Sequence, residues 1–508
     1  MVVAAHYDSA MLFDLLRYVF LVAFILLFAG VLSAGAIPAA LLSASPHRPT
    51  FMGRGFVVVG QLVSFAGALL MGLSAWLARA DSRYGIIEFL GMLVIALVGA
   101  GLLVAGLGPL PSWLLRLLGT YAERLPPALR LAVRDLARRR VRVVLAITLA
   151  MMASAVGIAL TVIAVGETTQ SRAAYSPQAR PGTLSVRPNA LLAQPFSAAE
   201  AGTVRAAIER ELPGVPIAQS ELPSAPSWYF RARAENVEIP EEAVYRNQAI
   251  GDEKLLRYLT GDQSTPYEEG TAVVITSADV KVDSVELSYE INENDETTTT
   301  RTVRAVLARA ADPHMETIFV PSKIVRDLGY QLRPGELIVD PSLRRVTAQE
   351  QERLDDRLDD AVAKTYVERG FEASTGWRYV VAAAFLVALA CAPAAGFGEA
   401  ANGRQSRVLR RAGNGSAMAF RWFCAFRAGL SVLCGTVLGA VAGCPAGMLL
   451  LWPLTAPTTW DEPARVPFET PWPLIVAFVA GLPLLAAVLG ALLARAQSHP
   501  PTAATPRP

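Results

Sequence analysis

The sequence predicts a polytopic α-helical membrane protein, with about seven transmembrane helices and one mixed α+β extracytoplasmic domain. Three observations predict it. Hydrophobic residues make up 53% of the 508 and charged residues only 18%, with a mean hydropathy of +0.37, well above what a soluble core needs. Seven apolar runs reach the length of about 20 residues that crosses about 30 Å of hydrocarbon as a helix. The net charge of +2 is also unevenly spread: residues 167–374 hold 23 Lys/Arg against 34 Asp/Glu, a balance of −11, so the rest carries +13.

Residues 1–110 contain three of the runs, at 12–36, 56–78 and 86–108. They avoid the cost of about 2.5–3.5 kcal/mol for a charge at a helix centre. Their charges, Asp14, Arg17 and Glu88, lie near helix ends. Residues 111–142 form a basic amphipathic lead-in to the fourth run, 143–166. Five arginines there (Arg134, Arg138, Arg139, Arg140 and Arg142) abut the apolar run and set its topology, because arginine excess in short loops marks the cytoplasmic side. The stretch 112–142 holds eight arginines against Glu123 and Asp135, and 399–427 holds six against Glu399, so both face the cytoplasm. The helix after Arg142 then runs outward and residues 167–375 stand outside. Residues 376–495 supply three more helices, at 377–398, 428–453 and 472–494, around a cytoplasmic loop at 399–420, and 496–508 form a disordered cytoplasmic tail. Alternation places the N-terminus outside, as expected of the later part of a longer architecture. Clustered arginines also suit nucleic acid, but each cluster adjoins an apolar helix, so sidedness is the expectation and nucleic acid is not a partner.

The polar block reads as α+β. "TLSVRP" is a short strand, and Ser197 with Glu200 makes a capping box for the helix in "SAAEAGTVRAAIEREL". "VDSVELSYEIN" alternates Val285, Leu287, Tyr289 and Ile291 with polar residues, and "ENDETTTTRT" is the tip of a hairpin. "VTAQEQERLDDRLDDAVAKT" reads as one helix with a capping box of Thr347 and Glu350, and "YVERGF" as the last strand. "RLDDRLDD" lacks the central glycine of a calcium loop and reads as a solvated face with Arg–Asp pairs.

No catalytic, cofactor or metal site is expected. The four lysines (Lys254, Lys281, Lys323, Lys364) complete no phosphate-binding G-x-x-x-x-G-K-[ST] loop, and there is no G-x-S-x-G or H-E-x-x-H. Cys391, Cys424, Cys434 and Cys444 all lie in apolar stretches, which leaves the polar block without disulfides. Work done by such a chain draws its energy from a partner. One helix does carry a packing signature: Gly435, Gly439, Gly443 and Gly447, four apart, put a glycine stripe on one face where another helix, within the chain or from a second copy, can approach closely.

Several segments resemble the FtsX-like permease family, the membrane half of MacB/LolCE-type ABC transporters, in the version of high-GC Gram-positive bacteria. They are "LPPALRLAVRDLARRRVRVVLAITLAM", "GDEKLLRYLTG", "YVERGF", "GRQSRVLRRAGNGSAMAFR" and "PWPLIVAFVAGLPLLAAVLGALLAR", and the likeness covers roughly residues 125–495. The resemblance implies a non-catalytic permease subunit in the cell membrane, the C-terminal part of a two-module permease, with helices 56–78 and 86–108 as the joint between modules. It implies a separate ABC ATP-binding subunit, which holds the ATP, docked on a coupling helix around Arg404, Arg407, Arg410 and Arg411 with Gly413 ending it. The partners are then that ATPase, the lipid bilayer and a second module or copy of the chain. The resemblance further implies that ATP hydrolysis moves the extracellular domain for export or extrusion of an amphiphilic substrate. Two alternatives stay open: a mechanical regulator of an extracellular cell-wall hydrolase, and an inactive permease fragment. The latter is prompted by Gln405 and Ser406, which stand where the family's loop often has an acid.

Overall fold

The computed structural model describes residues 19, 23, 50–79, 84–124, 127–138, 140–189, 194–225, 227, 229–240, 243–245, 247–291, 298–358, 362–396, 417–456 and 465–497. They fall into two compact units, one spanning Tyr175–Glu372 and a helical one made of the chain before and after it.

The helical unit begins with α1 (Thr50–Leu77) and α2 (Ile86–Leu107). Small residues set this pair close: a methyl on Gly99 would lie 2.8 Å from the Gly67 carbonyl oxygen. Ser64 and Ser74 of α1 donate across it to the carbonyls of Leu103 and Met92 at 3.0 and 2.8 Å. Then come α3 (Leu110–Tyr121), α4 (Pro127–Arg138) and α5 (Arg140–Ala174). The apolar run expected at 143–166 is therefore only part of a longer helix. The polar residues after it remain helical, with the Thr168 and Thr169 hydroxyls donating to the carbonyls of Ala164 and Val165.

The second unit carries a ten-stranded mixed sheet in the order β10-β1-β9-β2-β4-β8-β5-β7-β6-β3. In chain order its elements are β1 (Leu184–Pro188), α6 (Ala198–Glu211), β2 (Ile217–Ala225), β3 (Phe230–Arg233) and β4 (Gln248–Gly251). Next are α7 (Glu253–Thr260), β5 (Ala272–Ile275), β6 (Ser284–Tyr289), β7 (Thr299–Ala308) and β8 (Thr317–Pro321). The last are α8 (Ser322–Asp327), β9 (Gln331–Val339), α9 (Ala348–Asp355) and β10 (Ala363–Val367). Alternation sends side chains to cores on both faces: Ala272 and Val274 of β5 join Ile318 and Val320 of β8 in one, while Val273, Ile275 and Phe319 pack with Leu255, Leu256 and Leu259 of α7 in another. "GDEKLLRYLTG" is a capped helix, with Asp252 accepting from the amides of Lys254 and Leu255 and Gly261 ending it at φ +68°. Both expected capping boxes form, Ser197 with Glu200 and Thr347 with Glu350. Strands β6 and β7 form the expected antiparallel hairpin, with Tyr289 opposite Thr299.

Three readings differ. Of "YVERGF" only Tyr366 and Val367 belong to the last strand, and Thr299–Thr302 of the expected hairpin tip are already part of β7. The helix read across 346–365 stops at Asp355, because Ala363 and Val367 are claimed by the core as β10 pairs with β1. The arginines of "RLDDRLDD" also choose a different acid. Arg353 and Arg357 both reach Glu211 of α6, at 3.0 and 2.6 Å, so this face grips a neighbouring helix.

The helical unit resumes with α10 (Trp377–Gly396), α11 (Ala417–Leu454), α12 (Trp472–Val476), a π-helical turn (Ala477–Gly481) and α13 (Leu482–Gln497). Among the described residues, five helical stretches are long and apolar enough to cross a membrane: Val57–Leu77, Ile86–Arg124, Arg142–Ala174, Arg421–Leu454 and Trp472–Arg495. That marks the chain as membrane-associated. A shorter apolar helix, Trp377–Cys391, occupies the run expected at 377–398. The run at 12–36 and the tail beyond Gln497 lie outside the described residues.

Candidate functional site: the helix seam and its lock

Helix α5 is the most deeply buried of the five membrane-length helical stretches among the described residues, and Val57–Leu77 the least. Its partner along most of its length is α11. The four glycines spaced along α11 all face it. A methyl built on Gly435 would lie 2.7 Å from Ala150 Cβ. On Gly439 it would lie 2.6 Å from the Met151 carbonyl oxygen, on Gly443 2.5 Å from that of Ala155, and on Gly447 2.9 Å from that of Ala159. Real side chains do not approach so closely, so glycine is what lets the backbones meet. The other half of the seam is the small-residue face of α5, Ala150, Ser154, Ala155 and Ala159, all buried. Where α2 meets the seam, beside Ala155, Ala159 and Gly443, the space left is only about 10 Å³.

One end of the seam is locked by α4. This short helix buries Ala132, Val133 and Leu136. Leu136 joins Val143, Val144 and Ile147 of α5 and Cys434 of α11 in one cluster, and Ala132 joins Phe423 and Cys424 of α11 and Ala494 of α13 in another. On the same buried face Asp135 meets Arg427 of α11, with Nη1 to Oδ2 at 2.6 Å and both side chains less than a tenth exposed. A buried pair of this kind fixes register, because any other alignment strands a charge away from water.

Of the five arginines expected to set topology, Arg134 and Arg142 are exposed, and Arg134 lies 3.8 Å from the exposed Glu123. Arg138 ends α4, Arg140 begins α5, and Arg139 lies outside the described residues. So do Arg404, Arg407, Arg410, Arg411 and Gly413 of the expected coupling helix. Among the described residues no group of three or more His, Cys, Asp or Glu side chains is placed to hold a metal ion.

Sequence reasoning missed the Asp135–Arg427 pair by counting Asp135 as a loop residue and starting the sixth run after Arg427. The available signal was a lone acid on the apolar side of an amphipathic helix. It also missed the α1–α2 contact, though Gly60, Ser64, Gly67 and Ser74 recur at helical spacing.

A second polar centre sits in the sheet unit where the chain arrives from α5 and leaves toward α10. The buried Glu368 accepts hydrogen bonds from the Tyr175 hydroxyl, the Gln178 amide (2.9 Å), the Tyr366 hydroxyl (2.9 Å) and the Gly370 amide (2.9 Å). Its backbone also pairs with Gly182 and Thr183. One carboxylate thus clasps the two stems of the unit. Burial by itself raises its pKa, but the hydrogen bonds from Tyr175, Gly370, Gln178 and Tyr366 outweigh it and hold the carboxyl below its ordinary 4.5. A carboxylate held low adds stability at neutral pH, fully present above about 4.5 and lost as pH falls through the lower folded value. Thermal melts of Glu368→Gln are therefore expected below wild type at pH 7, with the gap narrowing as the pH falls below the ordinary 4.5. A gap that is constant with pH contradicts the clasp.

Compared with protein-family models the chain matches none, and no curated protein matches it significantly.

Proposed function

We propose that this chain is a non-catalytic permease subunit of the FtsX-like kind, coupling ATP hydrolysis by a separate ABC ATPase to movement of its extracytoplasmic domain, for export or extrusion of an amphiphilic substrate. The observation that carries this reading is the closed α5–α11 seam. Two helices in backbone contact over four successive glycine positions, clamped by α4, move as one body, because close-packed interfaces are bistable and do not deform continuously. Helix α5 runs into the sheet unit at Tyr175, so a displacement at its α4 end reaches that unit through the chain itself. Such a strut suits a machine that moves an outer domain rather than one that opens a pore. The resemblance of the quoted segments supports the same reading, as does the arginine excess of 112–142 and 399–427, which assigns the α4 end to the cytoplasm and residues 167–375 to the outside in a seven-helix cell-membrane topology.

The domain scheme follows. Helices 56–78 and 86–108 serve as the joint between modules, and the loop 399–420 carries the ATPase contacts at Arg404, Arg407, Arg410, Arg411 and Gly413. Purification of the tagged chain in mild detergent should bring down an ATP-binding protein with a Walker A loop, and Arg407→Glu with Arg410→Glu should remove it. Recovery of the chain alone, under conditions where a permease of this kind keeps its ATPase, contradicts the proposal and favours an inactive fragment.

A further inference from the structure

At the end of the seam away from α4 the helical unit carries a half-open cavity of about 560 Å³. The strand of chain after α11 forms one wall and is strapped to three helix ends. Arg465 donates from Nη2 to the carbonyls of Ala78, just past α1, and Trp452 of α11 at 3.2 and 2.9 Å, and from Nε to the Thr455 hydroxyl at 3.1 Å. Its guanidinium stacks 4.6 Å from the centre of the Trp452 ring. The Val466 amide donates to Gln170 of α5 at 3.0 Å.

The lining joins two chemistries. Arg79 and Arg465 are both cationic and no acid lines the cavity among the described residues, while Trp452, Phe468 and Leu451 supply an apolar wall. Its depth fits both. The apolar stretches Val57–Leu77 and Arg421–Leu454 end here, so the cavity sits where hydrocarbon gives way to headgroups, the level at which Trp residues concentrate. A volume of this size accepts a headgroup and the first part of a chain.

We propose that this cavity binds an anionic amphiphile, with a phosphate-bearing headgroup against Arg79 and Arg465 and the start of its acyl portion against Trp452 and Phe468. Guanidinium groups match phosphate oxygens in geometry as well as charge. A free anion would leave the apolar wall uncovered. The assignment needs only the membrane character of the helices and goes beyond the coupling function.

The test is native mass spectrometry of the full chain, purified in detergent and offered equal amounts of phosphatidylglycerol and phosphatidylcholine with matched acyl chains. Phosphatidylglycerol should be retained in preference, and Arg79→Glu should lower its occupancy about fivefold or more without changing that of phosphatidylcholine. Arg79 is exposed, so folding is not at stake, and Arg79→Gln should give a smaller drop in the same direction. Arg124→Glu, an exposed charge reversal outside the cavity, should leave the ratio unchanged. Equal retention of the two lipids, no effect of Arg79→Glu, or an equal effect of Arg124→Glu would overturn the site. Displacement of phosphatidylglycerol by excess inorganic phosphate would overturn the amphiphile in favour of a free anion.

Discussion

Asp135→Ala is expected to destabilise the helical unit by about 3–5 kcal/mol, because it leaves the Arg427 guanidinium buried without its carboxylate. Arg427→Met should cost about as much for the mirror-image reason. The double variant Asp135→Leu/Arg427→Met removes both charges and keeps apolar volume in the contact, so it should recover most of the loss. Melting in detergent, arranged as a double-mutant cycle, measures the coupling. Single variants that melt like wild type would show that water reaches the pair and that α4 is not locked to α11. For function the expected order differs. The double variant should fold yet let α4 slip, and any ATPase bound to it should lose control by the rest of the chain.

Gly443→Leu is the second large effect. A Cβ at Gly443 already meets the Ala155 carbonyl oxygen at 2.5 Å and its Cα at 3.0 Å, and both are backbone atoms that cannot rotate away. The helices must part, and each neighbouring glycine contact then loosens with them. Ordinary overpacking costs about 1–3 kcal/mol. A backbone collision repeated along a seam should exceed that, so little folded protein is expected in size-exclusion profiles. Gly443→Ala should fall between. Gly91→Leu on α2, where a Cβ meets nothing within 4 Å, should be close to neutral and controls for the general cost of the substitution. Equal behaviour of Gly443→Leu and Gly91→Leu contradicts the close-packed seam.

Residue patterns that repeat locally were readable in the chain. The apolar runs at 56–78, 86–108 and 472–494, the capping boxes of Ser197 and Thr347 and the alternation of Val285 and Leu287 each follow from the geometry of one helix or strand. The glycines of α11 were visible for the same reason. Their partner was not, because the small face of α5 is submerged in a run already rich in alanine, and only the tertiary contact singles out Ala150, Ser154, Ala155 and Ala159. Non-local pairing hid the rest. Residues 346–365 carry a convincing helical period, yet β1 captures Ala363–Val367 from nearly 180 residues away. Asp135 and Arg427 meet across almost 300 residues, and charge counting filed both as sidedness signals. Glu368 stood in plain view inside "YVERGF", but nothing local told that it would gather donors from Tyr175 and Gln178.

Sidedness is what the proposed coupling function stands or falls on. Cysteines placed at Lys281, an exposed position of the sheet unit, and at Ser406, in the arginine-rich stretch 399–427, can be probed in intact cells with a membrane-impermeant maleimide. Cys391, Cys424 and Cys434 are buried, and the half-buried Cys444 is replaced by serine in the parent chain to remove its background. Labelling of Lys281→Cys in intact cells, with Ser406→Cys labelled only after permeabilisation, is the result that an outer domain driven from a cytoplasmic loop requires. Labelling of both from the same side, or in the reverse order, contradicts it.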